Sequence, residues 1–85
     1  MSLSPQELRK RRDAFKKDPK LIDKFMKNLS PEAKKSATEI NKLFMDESLD
    51  GAALMEKIGK VRSKQSPAVL AELDAMRTQI QAHFK

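Results

Sequence analysis

The stretch "MDESLDGAALMEK", Met45 to Lys57, sets three acidic side chains within five residues, just ahead of a glycine and an apolar run. It reads either as a calcium loop or as the corner where one helix ends and the next begins. Aligned on Gly51, it puts Asp46, Ser48 and Asp50 at loop positions 1, 3 and 5 and Lys57 at position 12. A calcium loop needs a bidentate glutamate at that last position, and an ammonium group there opposes the ion. Glu56 falls one residue early. The corner reading accounts for the same residues without metal. Asp50 caps a helix that opens at Gly51, and the neighbouring carboxylates lie at the positive end of that helix. Asp46, Ser48 and Asp50 thus stand as weak metal candidates, and the expectation is a corner with no metal.

Other corners follow the same rule. All four prolines are preceded by Ser or Asp: Ser4-Pro5, Asp18-Pro19, Ser30-Pro31 and Ser66-Pro67. At an N-cap the side-chain oxygen accepts from an unpaired amide one turn in, and proline at the first helical position loses nothing by lacking its own N–H. Glu7 completes a capping box with Ser4, and Leu3 against Leu8 and Leu49 against Leu54 stand at staple positions. The spacing predicts helices near 5–17, 19–28, 31–45, 51–64 and 67–84. Apolar residues recur on one face of the last four: Leu21, Ile22, Phe25, Met26 and Leu29; Ala33, Ala37, Ile40 and Phe44; Leu54, Met55, Ile58 and Val61; Val69, Leu73, Met76, Ile80 and Phe84. The first helix offers Leu8, Ala14 and Phe15 around a central "RKRR", Arg9 to Arg12, so it is expected to dock lightly. No alternating run of strand length appears. The expected fold is all-α, a bundle of five short helices in one domain, with basic helices over 1–28 and core helices over 29–85. Gly59 inside the fourth helix costs about 1 kcal/mol against alanine, which a close helix crossing would justify.

A chain of 85 residues buries only about 60–65% of the surface its unfolded form exposes. There is no cysteine to staple it, so helix packing must hold the fold. No run approaches the ~20 apolar residues of a membrane span, and the N-terminus lacks the apolar core of a secretory signal.

The stretch from Leu29 to Met76, with its opening "LSPEA", its "D-x-S-L" corner before Gly51 and its closing "PAVLAEL", resembles the domain of the nematode SXP/RAL antigen family. The match covers a little over half the chain, mostly at capping and core positions. The resemblance implies a small helical protein with an EF-hand-like arrangement of helices, secreted where a leader has been removed and otherwise cytoplasmic. It implies no agreed biochemical activity. The basic segment before Leu29 lies outside the match.

Charge is uneven. Residues 1–35 hold eleven Lys or Arg against five acids and residues 36–85 hold seven of each, so the net +6 sits in the first part. Arg9, Lys10, Arg11, Arg12, Lys16 and Lys17, continued by Lys20, Lys24 and Lys27, form a candidate cationic face for an acidic protein or for phosphates. Nucleic acid is the weaker option, because aromatic stacking residues are lacking among the cations and Glu7, Asp13, Asp18 and Asp23 interrupt them. Met26, Met45, Met55 and Met76 form a second candidate, an adaptable hydrophobic groove, although methionines at helical spacing also fill cores. His83, the one histidine, stands near the C-terminus, and no thiol nucleophile, metal-ligand histidine cluster or glycine-rich phosphate loop accompanies it. The expectation is a non-catalytic protein-interaction module without a cofactor. Its rivals are an electrostatic nucleic-acid binder and a degenerate EF-hand-like binder of metal or hydrophobic ligands.

Overall fold

The computed structural model describes residues 4–84, so the expected Leu3 staple lies outside the described residues. Five helices follow in order: α1 (Pro5–Lys17), α2 (Leu21–Met26), α3 (Pro31–Phe44), α4 (Gly51–Ser63) and α5 (Pro67–His83). The described residues contain no strand. The all-α reading is therefore correct, and four of the five helix starts form as their sequence dictates. Ser4, Ser30, Asp50 and Ser66 each accept a hydrogen bond from the amide three residues on, at 2.8–3.3 Å.

The exception is Asp18-Pro19. Asp18 Oδ1 accepts from the Lys20 amide at 3.2 Å and its carbonyl accepts from the Leu21 amide at 3.0 Å. An aspartate whose side chain bonds its own backbone two residues on makes an Asx turn. The second helix therefore begins at Leu21 without a side-chain cap and ends at Met26, after six residues.

The core is a seam between α3 and α5. Ala33 and Ala37, one helical turn apart, have no exposed surface, and Val69, Leu73 and Met76 of α5 pack on them. Two alanines at that spacing let the helix backbones come close, so larger side chains from α5 fill the space between. Phe25, Met26 and Leu29 from the second helix and its following turn cover one flank of the seam. Glu72 of α5 ties the seam at its end: its two carboxylate oxygens accept from the Ser30 amide and hydroxyl, each at 2.8 Å.

The first helix is held by a narrow stripe of side chains. Leu8, Arg12 and Phe15 are all buried, and their spacing of four and three residues makes one continuous stripe. Phe15 meets Phe25, Phe44 and Phe84 with ring centroids 6.5, 5.9 and 5.9 Å away. All four phenylalanines of the chain thus join one cluster centred on α1, in tilted and edge-to-face geometries that add to simple burial. The docking is through few side chains, with the backbone of α1 standing farther from its neighbours than that of α3 from α4 and α5, as light docking implies, but Phe15 supplies the ring that meets three others.

Candidate functional site

The corner at residues 45–50 is organised around a cation supplied by the chain itself. Arg12 Nε donates to the Phe44 carbonyl at 2.6 Å, and Nη2 donates to the carbonyls of Asp46 at 2.8 Å and Leu49 at 3.0 Å. The Phe44 carbonyl ends α3, where the helix dipole and an unpaired oxygen favour positive charge, and the Asp46 and Leu49 carbonyls belong to the turn that leads into α4. Only 8% of Arg12 remains exposed. A planar guanidinium with several donors suits this task better than an ammonium group.

The acidic side chains of the corner are committed locally. Asp46 Oδ1 accepts from the Ser48 hydroxyl at 2.6 Å and the Ser48 amide at 3.0 Å, and these bonds hold its carboxyl below the ordinary value, with smaller help from the charges of Arg12 and Lys57. Asp50 Oδ1 caps α4 through the Ala53 amide at 2.8 Å. Glu47 accepts from Lys16, whose bond and charge lower its carboxyl too. Gly51 opens α4 without the left-handed φ that a tight loop reserves for glycine. Among the described residues no three His, Cys, Asp or Glu side chains converge as a metal site. The weak candidates Asp46, Ser48 and Asp50 shape the corner and its caps.

The proposed cationic face divides in two. Arg12 does not belong to it, being buried in the corner, and this corrects its assignment. Arg11 is half-buried, with its guanidinium 5.5 Å above the Phe84 ring, and Lys16 is bound to Glu47. Arg9, Lys10 and Lys17 remain on the outward side of α1, exposed and grouped with Pro5, Gln6, Asp13 and Ala14 along a shallow surface. A helix whose inner stripe carries Leu8, Arg12 and Phe15 turns these three cations away from the core.

The four methionines do not line one groove. Met26 lies against the α3–α5 seam and Met45 is the C-cap residue just after α3, whereas Met76 is buried in the core. Met55 is the one large hydrophobic among the described residues with marked exposure, 41%. An apolar cavity of about 350 Å³ does exist, but its walls are chiefly isoleucine, leucine and phenylalanine, with Met55 and Met76 as the only methionines. All five helices contribute to it. Ala37, Leu54, Leu73 and Met76 form its floor, and Arg11, Arg62 and Arg77 lie among its lining residues. A Cβ placed on Gly59, also in the lining, would meet nothing within 4 Å. No neighbouring helix crosses closely there, so the expected packing reason for this glycine is absent.

His83 packs edge-on against Phe25 and Phe84, with centroids 5.7 and 5.0 Å away, as part of the aromatic cluster. No helix among the described residues is long and apolar enough to cross a membrane. Comparison of the chain with protein-family models, with curated proteins and with solved structures finds no match.

Proposed function

We propose that this chain is a non-catalytic protein-interaction module of SXP/RAL-like type that meets an acidic partner protein through the outer face of α1. What supports the reading is the two-sidedness of that helix. Its inner stripe is locked by Arg12 and Phe15, while Arg9, Lys10 and Lys17 stand exposed on the outer side. Cations held on a docked helix need not be ordered again on binding, so less conformational entropy is lost than with a mobile basic arm. Opposite charge on the partner would raise the association rate and set orientation more than it would add affinity.

The test compares proteins retained from a native extract by the wild-type chain and by an R9E/K10E/K17E variant, with folding checked by circular dichroism. The proposal expects acidic proteins on the first and their loss on the second. Equal recovery by both contradicts it.

One observation favours a second reading. Lys20, Lys24 and Lys27 are exposed as well, extending positive charge beyond α1 in the manner of an electrostatic nucleic-acid binder. With Arg9, Lys10 and Lys17 these make six exposed cations, and neutralising about six phosphates would give a log–log salt slope of roughly −5. Gel shifts with duplex DNA and with RNA at graded salt decide it: a slope of that size supports nucleic acid, and no shift near physiological salt removes it.

A further inference from the structure

We propose that the half-open apolar pocket lined by all five helices is a binding site for a free fatty carboxylate, its alkyl chain lying along the apolar floor and its head meeting the arginines of the lining. The cavity is about 350 Å³ and reaches down to the buried residues Leu54, Leu73 and Met76. Small-molecule sites begin at ~300 Å³ and combine apolar walls with a few polar groups. Core side chains that face it, among them Ile40, Phe44 and Ile80, are only half-buried. An alkyl chain would complete their contacts.

The polarity of the lining selects the head group. It includes Arg11, Arg62 and Arg77 and no carboxylate. Arg62 is engaged by Asp74 at 2.8 Å, an acid outside the lining, so Arg11 and the exposed Arg77 are the residues assigned to the anion. The α4 side of the pocket is open: Gly59 has no side chain and open space before it, and Met55 is exposed, unbranched and flexible. A linear carboxylate suits a site that is apolar on its floor and cationic in its charged lining.

The inference stands apart from the protein-interaction reading, since Arg9, Lys10 and Lys17 line the outer face of α1 and not this cavity. Its test is a titration with octanoate, decanoate and dodecanoate, followed by calorimetry and by backbone amide shifts. Expected are saturable one-to-one binding, a gain of about fourfold in affinity per added methylene, and shifts concentrated at Ile58, Gly59 and Ile80. Dodecylammonium should bind at least tenfold more weakly than dodecanoate, and R11E/R77E should erase that preference. Gly59→Leu, which meets no steric conflict at its Cβ, should keep the fold and weaken dodecanoate at least tenfold, whereas R9E/K10E/K17E should leave it unchanged. Overturning results are absence of saturable binding, equal binding of the two head groups, response only to anionic phosphatidylserine vesicles, or shifts in these residues only with a synthetic Leu/Glu amphipathic helix or with rising protein concentration.

Discussion

The Arg12 Nε–H donates to the Phe44 carbonyl at 2.6 Å, so a side chain from α1 closes the last turn of α3. Through Nη2 the same group also holds the backbone at Asp46 and Leu49. A calcium loop draws its oxygens around a metal ion, and this corner draws its carbonyls around a guanidinium.

Replacing Arg12 should therefore cost more than any other basic residue of the chain. Arg12→Met keeps much of the buried stem and removes every guanidinium donor, leaving the Phe44 and Leu49 carbonyls without a partner while the Asp46 carbonyl keeps the Leu49 amide. The expected loss is about 3 kcal/mol, since hydrogen bonds to charged groups and uncompensated buried acceptors lie at the upper end of single-site effects. Arg12→Lys should recover only part of it, because one ammonium cannot reproduce the fork. Arg9→Met should change stability by less than about 0.5 kcal/mol. Urea unfolding of the four proteins measures the differences.

Phe15→Leu retains an apolar side chain of smaller volume but loses the ring contacts to Phe25, Phe44 and Phe84. A loss of about 2 kcal/mol is expected from the cavity and the missing aromatic pairs. Phe84→Leu, near the end of the chain and only half-buried, should cost less. Thermal unfolding followed at 222 nm ranks the two.

Acid should weaken the link between α5 and the start of α3. The Ser30 amide and hydroxyl hold the Glu72 carboxyl below its ordinary value of 4.5. A carboxyl whose pKa is lower folded than unfolded contributes stability that is fully present above the unfolded value and is lost as pH falls through the folded one. Asp46 and Glu47, also lowered, act with the same sign. Stability should thus be level above about pH 5 and fall as pH drops below 4.5, with a shallower fall in Glu72→Gln. Urea midpoints between pH 2.5 and 7 check the slope.

Gly59→Ala should stabilise the chain. Its Cβ enters open space, and alanine is about 1 kcal/mol better in a helix interior. A rise in melting temperature of about 5 °C is expected for a domain of this size, and a fall would reveal a packing demand at this position.

Local chemistry was the legible part of this fold. Ser4, Ser30, Asp50 and Ser66 act on amides three residues away, a distance over which a short sequence pattern specifies the interaction. Asp18 misled because the same side chain serves an N-cap and an Asx turn equally well. Arg12 was hidden inside "RKRR", although Leu8, Arg12 and Phe15 share a helical face; weighing charge as a block concealed a position where periodicity calls for a core residue. The Glu72–Ser30 link spans 42 positions, and nothing local to either residue announces it. Met55 fits the apolar period of α4, but Leu54 and Ile58 take the inward row and leave it on the flank. The cavity arises from five helices meeting, so it belongs to packing more than to any one segment.

Amide hydrogen exchange of α1 tests the central claim, that this helix is a docked platform with only its outer cations presented to a partner. The account predicts that the amides from Arg12 to Lys16 are protected to nearly the same degree as those of Ala37 and Leu73, and that Arg12→Met lowers protection in α1 most. Near-unprotected exchange throughout α1 of the wild-type chain, beside a protected α3 and α5, would contradict it.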